Sequence, residues 1–341
     1  MNPFERLMKA VDKEPVDRVP LICPGGMMTM AVSEAMDLLR ASWPEAHKDA
    51  GLMADLTEGM TRLGGIENLG VPFCMTIEAE SMGATVDLGN RAREPHVTRY
   101  VMESMADTGV LRPLDPEKGR AAVCCDAIRL LKKRRTDLPL IGNLSGPVSL
   151  ATSLVEPISY YRAVRRDKPR VYELTSFCVE QAIVLGDAMV SAGADMICIA
   201  DPSATGDLLG PSAFEEFVLP CLNRMTRHFQ EDLGVPVIVH ICGDIKKTGK
   251  LLEKLEARVI SVDSVVGISR LSHLIPEKVT MGNVSTYTLE RGSPGKVERA
   301  GLSCLRQGVD ILAPACGISP LTPLTNIQSL AKIQTGLKIE P

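Results

Sequence analysis

The stretch VPVIVHICGDI, residues 235–245, runs a mostly apolar, β-favouring segment into His240 and, two positions on, Cys242. Alternate residues of an extended chain point to the same side, so an imidazole and a thiol at this spacing can address one metal ion. Gly243 follows and leaves room beside them. A second stretch, ILAPACGISP, supplies Cys316, again just past a β-like run and again before a glycine. One imidazole and two thiolates, with a fourth position open, are the donor set of a catalytic rather than a closed structural zinc site. The competing reading is a hydrogen-bonded core imidazole and a buried thiol. Two strand-end placements and two following glycines bring the metal level with that reading, and both stand on the residues alone.

Those side chains need elements that bring them to one place. Short apolar runs bounded by turn residues occur at 19–23, 71–77, 138–144, 194–200, 235–240, 258–263, 278–283 and 309–314. Stretches with helical periodicity, such as 212–233 and 293–308, separate most of them, so strand and helix alternate. The expected fold class is α/β, a (β/α)8 TIM-type barrel spanning residues 1–341 as a single domain. An extended insert follows the second strand, with a hairpin-like pair, GATVDLG and HVTRYVM, inside it. A doubly wound open sheet would also alternate, but no glycine-rich phosphate turn is present. In a barrel, functional groups project from the C-terminal strand ends, where His240 and Cys316 are placed.

Other polar residues share those ends. Asp201 follows the fourth run and can orient substrate, bond His240 or simply form a turn before Pro202. Asn143 and Asn283 end the third and seventh runs and are candidate donors to a cofactor, or turn residues. Glu78 and Glu80, read as one face of the second run, offer a carboxylate for acid–base or cofactor work if buried, and solvated charge if not. Cys23 and Cys74 also stand at strand ends, whereas Cys124, Cys125, Cys178, Cys198 and Cys304 read as core thiols. His47, His96, His228 and His273 lie among charged or loop residues and read as surface positions.

Composition narrows the class. At 45% hydrophobic, 23% charged and a net charge of -4, the chain resembles an ordinary globular enzyme with no electrostatic reason to bind nucleic acid. The first twenty residues are charged throughout, unlike a secretory signal, and no uninterrupted apolar run has membrane-spanning length. Ten cysteines in such a chain suggest reduced thiols and a cytoplasmic location.

The segments GVPFCMTIEAESMGATVDLG, DPSATGDLLGPSAFEEFVLP, HICGD and DILAPACGISPLTPLTNI together resemble the methylcobamide:coenzyme M methyltransferases of the uroporphyrinogen decarboxylase superfamily. The resemblance covers nearly the whole chain. It implies Zn2+ held by His240, Cys242 and Cys316, a corrinoid carried by a partner protein, and a thiol such as coenzyme M as methyl acceptor. A Cys-rich donor set suits thiol alkylation, as a His-rich set suits water activation. The site is also similar to that of cobalamin-independent methionine synthase, which uses a later carboxylate; by that likeness Asp263 is a candidate fourth ligand or a partner of one, and otherwise a loop-capping residue. Three alternatives accompany the reading: a methyltransferase that loads methyl from methanol, a methylamine or a methoxyaromatic onto cob(I)amide; tetrahydrofolate as acceptor; and a non-catalytic barrel that docks a corrinoid protein. Porphyrinogen decarboxylation is disfavoured, because LICPGGMMTM lacks the arginine with which decarboxylases grip propionates.

Overall fold

The apolar runs become parallel strands around a common interior. The computed structural model describes residues 1–24 and 30–336. Its strands are β1 (Leu69–Val71), β2 (Thr85–Asp87), β3 (His96–Arg99), β4 (Leu140–Ser145), β5 (Met196–Ala200), β6 (Val237–Ile241), β7 (Val259–Val262), β8 (Val279–Val284) and β9 (Ile311–Pro314). Seven form one parallel sheet in the order β1, β4, β5, β6, β7, β8, β9, and β2 pairs antiparallel with β3 in the insert. The eighth barrel position is held by the segment around Leu21, which bridges Leu312 of β9 and accepts a hydrogen bond from Glu67 N–H at 2.8 Å on the β1 side. The result is the expected (β/α)8 barrel.

Two runs behave differently from expectation, and proline is the reason in both. Residues 19–23 make one bridge rather than a strand, since Pro20 and Pro24 lack the N–H a ladder needs. The run at 71–77 ends at Val71 before Pro72, and Ile77–Ser81 is helical. Glu78 and Glu80 are therefore on a helix, where residues two apart diverge. The middle of LICPGGMMTM, residues 25–29, lies outside the described residues.

Alternation along the strands separates two packing layers. Ile141, Cys198, Ile238, Val259, Met281 and Ile311 cluster with Leu7, Ala10 and Val11 of the helix Pro3–Val11, which closes the N-terminal end of the barrel. That helix starts on a capping box between Asn2 and Glu5. The alternate residues Ile197, Val237, Val239 and Ile260 pack outward against the helices. His240 and Ser261 lie two positions beyond Ile238 and Val259, so they face inward above this plug. The helix Lys168–Ala192 is long and apolar enough to cross a membrane by length and composition, yet half of its most apolar stretch is buried, and it packs on β4 and neighbouring helices.

Candidate metal centre

Strand register builds the site. β6 pairs with β7 so that His240 stands opposite Ser261, and both are fully buried. Ser261 Oγ lies 3.0 Å from His240 Nδ1, which leaves Nε2 turned to the Cys242 sulfur at 3.0 Å. Cys242 follows β6 and meets Cys316 across 3.5 Å between sulfurs. One donor atom from each of His240, Cys242 and Cys316 lies within 4.8 Å of the others, and both cysteines are half-buried rather than sealed. Gly243 takes a left-handed turn at φ +78°, which bends the chain just past Cys242.

The electrostatics suit a metal. Cys316 is pushed down by its hydrogen bond with Cys242 and by His240, while Cys242 is pushed up, because ionising both would set two thiolates side by side. A divalent cation removes that penalty. With Nδ1 held by a hydroxyl and Nε2 facing two sulfurs, these residues fit zinc in donor type and in mutual reach.

The remaining sequence candidates divide. Asp263 is half-buried beside the site, but its carboxylate accepts hydrogen bonds from Gly243 N–H (3.3 Å), Val265 N–H (3.2 Å) and Ser264 Oγ (3.2 Å). It braces the Cys242–Gly243 turn and lies outside the three-residue donor cluster. Asp201 does not bond the imidazole: its backbone N–H donates to the His240 carbonyl at 3.0 Å, and its carboxylate accepts from Val148 N–H, Ser149 N–H and Ser149 Oγ at the start of the helix Pro147–Leu154. Burial nonetheless raises it to about 6. Gly146 makes this approach feasible, since a Cβ there would sit 2.3 Å from Asp201 Cβ.

The amide nitrogens expected to meet a cofactor are occupied by the scaffold, while Asn143 Oδ1 is buried without a partner among the described residues. Asn143 Nδ2 donates to the carbonyls of Pro24 (2.8 Å) and Val71 (3.0 Å), and Asn283 Nδ2 to those of Asp263 (2.8 Å) and Val266 (2.7 Å). Glu78 is buried with Oε1 accepting from Ser145 N–H at 2.6 Å, and burial raises its pKa. Glu80 instead pairs with Arg120, which also donates to Cys74 Sγ at 3.1 Å, so Cys74 is engaged away from the metal cluster. Cys23 is buried and outside that cluster too. His47 corrects the surface reading: it is buried against Trp43, with ring centroids 4.8 Å apart.

Two residues escaped the sequence. Ser261 had a signal, a lone hydroxyl on the inward phase of RVISVD. Glu94 had none, being one charge in the run RAREPH. The loop between β2 and β3 carries it over the mouth, next to Ser319 and Pro320. Its surface is open to solvent, yet protein rings the carboxyl, and this, together with the nearby Cys316, raises it to about 7; water at its open side moderates the effect.

Comparison with known proteins agrees with this geometry. The profile of the uroporphyrinogen decarboxylase (URO-D) family matches residues 2–335. The chain is 33% identical over 339 residues to the methylcobamide:CoM methyltransferase MtbA of Methanosarcina acetivorans, covering 99% of this chain and 98% of that protein. It is 33% identical to the methylcobamide:CoM methyltransferase MtaA of Methanosarcina barkeri, covering 95% of each. A solved methyltransferase from Methanosarcina mazei superposes with a TM-score of 0.90 at 30% identity, covering 98% of this chain and 99% of that one. The chain therefore belongs to the uroporphyrinogen decarboxylase family and is an enzyme of its methyltransferase class.

Proposed function

We propose that this chain moves a methyl group from a methylated corrinoid to a thiol, at a zinc centre formed by His240, Cys242 and Cys316. The observation that carries the reading is the convergence of one imidazole nitrogen and two sulfurs within 4.8 Å at the C-terminal mouth of the barrel. Relatives named methylcobamide:CoM methyltransferases support the corrinoid donor and favour coenzyme M as acceptor. Zinc held there would keep an incoming thiol as its thiolate at neutral pH, where a free thiol with a pKa of about 8.5 is mostly protonated.

This chain's residues do the rest. Ser261 holds the imidazole so that Nε2 faces the sulfurs. Asp263 fixes the turn that presents Cys242. Asp201, tied to the first turn of the helix Pro147–Leu154, anchors the loop beside β6 rather than touching substrate. With zinc bound, the two protein thiolates would keep the acceptor sulfur electron-rich. Its lone pair would form the new C–S bond as the donor's Co–C bond breaks, with that bond's electron pair left on cobalt.

The test joins metal analysis to a methylcobalamin-to-thiol assay that follows loss of the Co–CH3 absorbance. Cys242→Ala and Cys316→Ala should each lose the metal and the transfer while keeping the fold, because residues at this barrel face serve activity more than stability. Full activity with either cysteine removed refutes the site.

A further inference from the structure

A groove of about 620 Å³ lies between the helices Pro157–Arg166 and Gly206–Ala213. The helix Gly206–Ala213 follows the C-terminal end of β5, and Pro157–Arg166 comes after β4 and the helix Pro147–Leu154 and reaches the loop that leaves β5, so the groove lies towards the same end of the barrel as the metal centre. Tyr161 Oη donates to the Ser203 carbonyl at 3.0 Å and fixes one wall against the loop that starts the other.

Its lining is unusual for a surface without a role. Ile158 and Leu208 stand 56% and 54% exposed on opposite walls, with Leu209 between them half-buried. Spacings of four and three place Ile158, Arg162 and Arg165 on one stripe of their helix, with Arg166 alongside. Arg162, Arg165 and Arg166 are exposed and make no ion pair or hydrogen bond among the described residues. Most nearby acids are taken: Glu156 caps the helix through Ser159 N–H, Asp167 pairs with Arg170, and Glu216 with Lys168, which leaves Asp207 of the facing helix against three arginines. A groove with apolar anchors and an excess of positive charge is complementary to an amphipathic helix bearing acidic residues.

We propose that this groove docks an acidic amphipathic helix of the protein that carries the methylated corrinoid. The proposal rests on the corrinoid reading above, which requires a bulky donor to approach the barrel mouth. A docking site beside the mouth, rather than in it, holds the donor protein while its cofactor faces Cys242 and Cys316.

The test uses the metal-replete enzyme and its Arg162→Glu/Arg165→Glu variant. The probe is a fluorescein-labelled Leu/Glu amphipathic helix of about twelve residues, with a Leu/Lys helix of the same pattern as control. The Leu/Glu helix should bind wild type at least about tenfold more tightly than it binds the variant, and the Leu/Lys helix, repelled by the arginines, should not bind wild type. Equal binding of the two peptides, or equal binding to the two enzymes, overturns the groove. The variant should keep the wild-type rate with free methylcobalamin, and a fall in that rate counts against a docking role. In a second arm, the donor is a methylated corrinoid protein purified by its ability to supply methyl to this enzyme. The variant should raise its KM about tenfold with kcat unchanged, and an unchanged KM overturns the assignment of the occupant. A wild-type enzyme that takes no methyl from free methylcobalamin refutes the corrinoid reading instead, and leaves peptide binding measurable.

Discussion

Replacing Ser261 by alanine removes one hydroxyl and touches no metal donor. His240 and Ser261 are both fully buried, and their contact is 3.0 Å. Without that oxygen, Nδ1 is stranded in the barrel interior, which costs about 1–3 kcal/mol for a buried group left without its partner. The loss has two ways to appear. Stability falls by this amount, or the ring turns to find another partner and Nε2 leaves the sulfurs. The second route lowers metal affinity by about 10–100-fold, the size expected for removing the partner of a ligating imidazole, which converts to about 1.4–2.7 kcal/mol. Two independent arguments thus reach the same range. The assay is zinc competition against a chromophoric chelator, with thermal unfolding of the zinc-free protein in parallel. A Ser261→Ala protein with wild-type zinc affinity and wild-type stability would refute the idea that this hydroxyl orients the imidazole.

Three further outcomes follow from the same geometry. Asp263→Asn should weaken zinc binding less than Ser261→Ala and equally with and without thiol, since Asp263 braces Gly243; a loss confined to the thiol-free state would make it a ligand that departs when thiol arrives. Adding a thiol acceptor to the zinc-loaded enzyme near neutral pH should release about one proton per metal and add a sulfur neighbour in X-ray absorption, and an unchanged metal shell with every thiol tried would count against thiol activation. Asp201, raised to about 6 by burial, keeps a proton in the folded state that the unfolded chain gives up near pH 4. Its contribution is present below about pH 4 and is lost as pH rises through about 6, so stability declines across that window. Asp201→Asn should flatten the decline relative to wild type in thermal unfolding curves, and parallel curves would show that Asp201 is ionised throughout.

Local pattern carried much of this protein. Alternation in VIVHI placed His240 inward above Ile238, and the two-residue step to Cys242 set two donors on one side before any tertiary contact is considered. The hairpin in the insert and the helix near 293–308 were equally local, since turn chemistry and apolar period are properties of neighbours in the chain. Proline shows where such reading slips: runs at 19–23 and 71–77 have β composition, but Pro20, Pro24 and Pro72 withhold ladder donors. Tertiary structure alone decided who meets whom. The β6–β7 register put Ser261 on His240, and the closure of the barrel brought Cys316 to Cys242 across 74 positions. It spent the amide nitrogens of Asn143 and Asn283 and the Asp201 carboxylate on the scaffold, buried His47 against Trp43, and swung Glu94 over the mouth. Burial and partnership depend on residues far apart in the chain, and residue type and spacing carry no term for that distance.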